Sequence, residues 1–171
     1  MRLNVRLFVL LPILLCASAR GTEERHLEFD KATDFSKFKT FSITGGTIRS
    51  NAPELNNALI KQKIADAIRA QLVGARMSET QDRPDLIVTY QLGSATGRGV
   101  AEVAGGRGPG RTEPYQYLEG TLVIDLTSGT RLVWRGVYRD ADRNPSRVVG
   151  RLPNNIKKLF SGFPPKHPER D

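Results

Sequence analysis

At 171 residues with 39% hydrophobic side chains, the chain is long enough for one domain with its own core. Twenty-six basic against 18 acidic residues leave a formal net charge of +8, which points toward anionic partners. One cysteine excludes a disulfide framework, and two histidines near opposite ends, His26 and His167, form no cluster with metal-ligand spacing.

The N-terminus reads as a targeting segment over residues 1–19. Arg2 and Arg6 form a positive n-region, Leu7 to Leu15 is a short apolar run, and Ala17-Ser18-Ala19 is a small-residue cleavage signal. The run is too short for a permanent span, which needs about 20 apolar residues. Cleavage after Ala19 would start the mature chain at Arg20 without any cysteine. The alternative is lipidation of Cys16, against which Leu15 stands as a bulky residue where a small one is wanted. The expected location is outside the cytoplasm, periplasmic or secreted ahead of lipid-anchored.

One domain is expected over residues 20–165. His26 to Asp30 reads as an edge strand, and Phe35 and Phe38 as a cover over the core. Lys39 to Ile43 is a strand ended by Gly45-Gly46. Asn51 to Gly74 is the clearest helix. Asn51 suits the N-cap, Pro53 the first turn, Glu54 a capping box, and Gly74 the position after the last turn. Leu55, Leu59, Ile60, Ile64, Ile68 and Leu72 make its apolar stripe. That stripe is most simply a packing face; a membrane-surface helix is the alternative, diluted by Glu54 and Asp66. Leu86 to Leu92 is a second strong strand.

Residues 93–114 differ in composition: seven of the 22 are glycine, with Arg98, Arg107 and Arg111 interspersed. This predicts a flexible loop between two strands. A phosphate loop would need a lysine, a Ser or Thr and a following helix. An arginine-glycine nucleic-acid segment would interleave aromatics, which are absent until Tyr115.

Tyr117 to Asp140 is the best-defined hairpin. Leu118, Gly120, Leu122, Ile124 and Leu126 share one strand face, and Leu132, Trp134, Gly136 and Tyr138 continue it on the return strand. A three-residue loop, Thr127-Ser128-Gly129, keeps the faces matched. It pairs Ile124 with Leu132, Leu122 with Trp134 and Asp125 with Arg131. Trp134 is then core, and Thr121, Val123, Arg131, Val133 and Arg135 lie on an open face. A short helix, Asn154 to Phe160, follows with Pro153 in its first turn. Residues 166–171 read as a disordered tail.

No catalytic, cofactor-binding or metal-binding residues emerge. No serine has a nucleophile-elbow context. Glu119 and Asp125 share a strand face, but about 20 Å of strand rise separates them, too far to act on one bond. The cationic residues with a reason to meet a partner are Arg98, Arg107 and Arg111 in the loop and Arg131 and Arg135 on the open face.

The order of segments resembles a bacterial envelope family catalogued as domain of unknown function 4136, many of whose members are lipoproteins. The matching stretches are Asp34 to Phe41, the helix ending near Gly74, Pro84 to Gly93, Tyr117 to Leu126 with Leu132 to Gly136, and Phe163 to Pro165. The resemblance implies a compact α/β domain outside the cytoplasm and carries no activity.

The expected fold is α+β: a two-layer sandwich with a mainly antiparallel sheet of four or five strands and two helices on one face. The expected role is a non-enzymatic binding or scaffold module contacting an anionic envelope surface, lipid or glycan, without a cofactor and without nucleic acid. The alternative is a subunit of an envelope protein complex, associating through a sheet edge or the open face.

Overall fold

The computed structural model describes residues 23–50, 52, 55–105 and 110–165. The elements in order are β1 (Glu24–Phe29), β2 (Thr40–Arg49), α1 (Ala58–Gly74), β3 (Ser78–Glu79), β4 (Leu86–Val103), β5 (Arg111–Ser128), β6 (Arg131–Asp142) and α2 (Pro145–Leu159). The fold is α+β, as expected, but the sheet has six strands in the order β1-β6-β5-β4-β2-β3 and is mixed. β2 runs parallel to β3 and β4, because α1 carries the chain across between β2 and β4; the other neighbours are antiparallel. Among the described residues no helix is long and apolar enough to cross a membrane.

Both helices cover one sheet face. α1 presents Ile60, Ile64, Ile68 and Leu72, four residues apart and buried. α2 presents Val148, Leu152, Ile156 and Leu159. They meet Phe41, Leu86, Val88, Tyr90, Leu92, Leu122, Ile124, Leu126, Trp134 and Tyr138 from the strands. Each buried aliphatic side chain contributes about 1.5–3 kcal/mol over its exposed state, so these two rows decide which face is inside. Trp134 stacks on Phe160 at 4.9 Å, and Phe163 lies edge-on to both and to Phe35. Trp134 is therefore core, as expected.

Several boundaries differ from expectation. Helix α1 begins at Ala58, and its N-cap is Asn57, whose side chain accepts a hydrogen bond from Ile60 N at 3.0 Å. Asn51, Pro53 and Glu54 lie outside the described residues. Leu55 is fully buried ahead of the helix, whereas Leu59 is 75% exposed because it sits about 100° round from Ile60. Gly74 is the last helical residue, and the left-handed residue beyond it is Arg76 (φ 65°). Helix α2 starts a full eight residues before Pro153. Asn144 caps it and Pro145 fills its first position, so Pro153 is interior. β2 does not stop at the glycine pair. A bulge between Ile43 and Gly45 uses the positive φ of Gly45, and the Tyr90 ring lies where a Gly46 Cβ would be.

The hairpin register also changes. The turn is Gly129-Thr130, with Ser128 opposite Arg131 and Thr127 opposite Leu132. A bulge then shifts the ladder, so that Leu126 faces Trp134 and Asp125 faces Arg135. Asp125 thus pairs with Arg135 and not with Arg131. Val133, expected on the open face, is the extra residue of the bulge and is 1% exposed. The bulge lets Leu132, Val133 and Trp134 run consecutively without turning the faces over.

Candidate binding site at the base of the arm

The expected loop over residues 93–114 is mostly strand. β2 leaves the ladder at Arg49 opposite Gly93, and β6 ends opposite Leu118 at Asp142. Beyond those points β4 and β5 pair only with each other, from Gly97 opposite Tyr117 to Val103 opposite Arg111. This two-stranded arm projects roughly 20–25 Å at about 3.4 Å per residue. Its glycines have a packing reason. Tyr117 lies over Gly97 and Tyr115 over Gly99; a Cβ at those glycines would come within 2.3 and 2.6 Å of the rings. Cross-strand aromatics seated on glycine stiffen a ribbon that has no side chain of its own there.

Where the arm leaves the sheet, β4, β5, the end of β6 and the start of α2 line a half-open cleft of about 860 Å³. Tyr115 and Tyr117 form one wall, with ring centroids 6.1 Å apart. The Arg143 guanidinium lies 3.5 Å over the centre of the Tyr115 ring, a cation-π contact. Arg98, Arg139 and Arg147 also line the space, as do Glu24, Glu119, Asp140 and Asp142.

The carboxylates are mostly committed. Asp140, 4% exposed, accepts from Arg151 Nε and Nη2 at 2.8 Å each and from Asn155 Nδ2 at 3.0 Å. Asp142 accepts from Asn144 N at 2.9 Å and Arg151 Nη1 at 2.8 Å. These two donors, the backbone amide first, hold the Asp142 carboxyl below the usual carboxylate range. Asp140 and then Asp142 push the Arg151 guanidinium further up, so it stays charged. Asn155 Oδ1 is buried without a hydrogen-bond partner among the described residues. Glu24 pairs with Arg139 at 2.9 Å. Among the described residues, Arg98, Arg143 and Arg147 have no carboxylate within salt-bridge distance. The arrangement thus places the stacked Arg143–Tyr115 pair, the Arg147 guanidinium, the Tyr117 ring and the acceptor Glu119 around one concave space. Its volume falls in the ordinary range for small-ligand sites, about 300–1,000 Å³.

Of the residues singled out from sequence, only Arg98 belongs here. Arg111 sits further along the arm and pairs with Glu113 at 2.7 Å. Arg131 and Arg135 lie toward the opposite end of the hairpin. Arg131 reaches Asp30 at 3.5 Å and donates to Thr33 Oγ1 at 3.3 Å. Arg135 makes a bidentate pair with Asp125, Nε and Nη2 donating at 2.7 and 2.8 Å, which raises its affinity for its proton. Arg107 and Cys16 lie outside the described residues. Tyr115, Tyr117, Arg143 and Arg147 were missed. Two signals could have found them: the four-residue spacing of Arg139, Arg143, Arg147 and Arg151, and the match of Tyr-x-Tyr to Gly-x-Gly across a hairpin.

The sheet face opposite the helices has no second layer among the described residues. Thr89 and Gln91 are exposed there, and Thr121, Val123 and Val137 are half-buried. Among the described residues no group of three or more His, Cys, Asp or Glu side chains is placed to hold a metal ion.

A family model described as Domain of unknown function (DUF4136) matches residues 26–165. No curated protein matches the sequence. Solved structures share the fold at low identity. A PDZ domain protein from Parabacteroides distasonis is 12% identical with a TM-score of 0.58; the match covers 88% of this chain and 38% of that one. A DUF4136 family protein from Bacteroides thetaiotaomicron is 14% identical with a TM-score of 0.51, covering 83% of this chain and 96% of the other. A homolog of a neuraminyllactose-binding hemagglutinin from Helicobacter pylori is 10% identical with a TM-score of 0.53, covering 82% and 94%.

Proposed function

The chain belongs to the DUF4136 family, and from that premise we propose that it is a non-catalytic binding module of the bacterial envelope. Its ligand is a polyhydroxylated anion: an acidic saccharide or the acidic headgroup of a lipid. The single observation behind this reading is that, among the described residues, Arg143 and Arg147 beside the tyrosine wall have no carboxylate within salt-bridge distance. Guanidinium groups take carboxylate or phosphate in a planar fork, aromatic faces take the apolar face of a sugar ring, and Glu119 can accept from hydroxyls. Among the described residues the cavity lining contains no histidine, cysteine or serine and no paired base and nucleophile, which favours binding over chemistry. The Helicobacter pylori fold relative bears the name of an anionic saccharide, neuraminyllactose; what is shared with it is the fold.

Compared with the sequence-based expectation of the Arg131–Arg135 face or the 93–114 loop, the site lies at the arm end of the open face, where that loop begins. Arg131 and Arg135 are already satisfied by Asp30 and Asp125, so an added anion would gain little there. The residue-1–19 targeting segment supports placement outside the cytoplasm. Mass spectrometry of the mature N-terminus distinguishes a free Arg20 from a lipidated Cys16.

The test is calorimetric titration with acidic oligosaccharides, beside flotation with anionic and neutral vesicles. One of the two acidic ligands binds the wild type. Arg143→Glu with Arg147→Glu weakens that binding by at least about tenfold, the loss of roughly 1.4 kcal/mol or more of charge-assisted contact. Equal binding by the variant, or by neutral analogues, overturns the reading.

A further inference from the structure

We infer that the outer edge of the arm is an interface for a second copy of this chain, with the two arms pairing antiparallel about Val100. Among the described residues β4 has no strand neighbour on its outer side beyond Gly93, where β2 stops, and Ser50 reaches no further than Ser94. An edge of this length without proline or lysine is a template for another strand. The arm's other edge differs. β5 carries Pro114 in its middle, which has no N–H to give, and Arg111 and Glu113 beside it are tied to each other.

Pro114 also sets the register. It stands directly opposite Val100. A proline inside a paired strand sits where its nitrogen faces away from the partner. Opposed residues of an antiparallel pair turn their backbone groups inward together or outward together. Val100, and with it Arg98 and Glu102, therefore presents N–H and C=O to the free edge. Those same three side chains are exposed, Val100 at 71%, whereas Gly97 and Gly99 lie under the tyrosines.

The pattern Arg98-x-Val100-x-Glu102 is its own complement. With Val100 on a two-fold axis, antiparallel pairing places Arg98 opposite the second copy's Glu102, twice, with the two valines between them. Among the described residues neither Arg98 nor Glu102 has an ion pair within its own chain. A self-complementary patch is what a two-fold contact requires, and an arbitrary foreign strand would not match it. The product is a four-stranded ribbon in which both outer edges carry Pro114. Such a ribbon does not extend further, so the association closes at two copies.

Sedimentation equilibrium of the purified full chain tests this. The wild type sediments as a reversible dimer. Arg98→Glu and Glu102→Arg each raise the dissociation constant by about tenfold, since each turns two attractive cross-strand pairs into repulsive ones. Combining them restores pairing to near wild-type strength. Val100→Cys gives a second readout. Opposed residues about 5.5 Å apart between Cα atoms are within disulfide reach, so in a Cys16→Ser background mild oxidation cross-links Val100→Cys and leaves the Cys16→Ser parent uncross-linked. A monomeric wild type, a dimer indifferent to the single reversals, or a double reversal that stays dissociated overturns the proposal. Arg143→Glu leaves the dimer intact, which separates this result from failure of the ligand reading.

Discussion

The two ends of the β5–β6 hairpin carry the same residue type in opposite electrostatic states. At the turn end, Arg135 meets Asp125 in a bidentate pair and Arg131 meets Asp30. At the arm end, Arg151 takes up Asp140 and Asp142, and Arg143 and Arg147 are left over beside a tyrosine wall. The turn end spends its arginines on holding strands together. The arm end uses one arginine to tie β6 to α2, and Asp140 and Asp142 accept hydrogen bonds from it rather than from Arg143 or Arg147. An arginine count alone cannot separate these cases; the carboxylates across each strand and helix do.

The largest effect is expected from breaking the tie at the arm end. Asp140→Ala leaves the Arg151 guanidinium and the Asn155 amide without their buried acceptor. The cost is about 2–3 kcal/mol, read as a lowered midpoint in urea unfolding, because Arg151 keeps only Asp142 and the buried Asn155 amide loses its acceptor. Ligand binding falls with it if the α2 start positions Arg143 and Arg147. A tolerant Asp140→Ala would mean that packing alone holds β6 to α2.

A smaller effect belongs to the turn end. Arg135→Ala leaves Asp125 half-buried and unpaired and costs about 1–2 kcal/mol. Arg131→Ala, a longer and more exposed pair, costs under about 0.5 kcal/mol. Neither changes affinity for the anionic ligand. If Arg135→Ala weakens ligand binding as Arg143→Glu does, the two ends are not functionally distinct.

The smallest effect is acid sensitivity shared by both ends. Asp85, held by the backbone amides of Lys39 and Thr40, and Asp142, held by the Asn144 amide and Arg151, both titrate below the usual carboxylate range. Asp30 does so as well, through the Ala32 amide and Thr33. A depressed folded-state value means the unfolded chain takes up the proton first. The stability from these groups is complete above about pH 4 and is lost as pH falls through their lowered values. Urea midpoints measured from about pH 6 down to about pH 2 should fall across that window, and Asp85→Asn should flatten the slope. A midpoint that is level below pH 4 would show these carboxylates to be unperturbed.

Much of the fold was legible in local pattern. The four-residue repeat from Ile60 to Leu72 and the alternation through Leu118 to Leu126 name the buried faces directly, because burial of aliphatic surface outweighs local preference. Helix starts were legible in type but not in place. Asn51 and Asn57, or Pro145 and Pro153, are equally good signals one or two turns apart, and long-range packing chose between them. The hairpin register was not legible, because Leu132, Val133 and Trp134 are all apolar and a bulge leaves no residue signature there. Glycine in the arm pointed to disorder when read alone. It acquires its meaning from tyrosines some 20 residues later in the chain, seated across a ladder.

The chain's own order of residues determined its α+β class, its apolar faces, its basic character and its family. Those depend on periodicity and composition, which are local or additive. Only the tertiary structure decided which arginines are spent and which are free. Pairing is a matter of a few ångströms between residues such as Arg135 and Asp125, or Arg151 and Asp140. Strand register and the approach of α2 set those distances. On the proposed reading, the same approach makes the arm end of the open face, rather than its turn end, the place where an anion has something to gain.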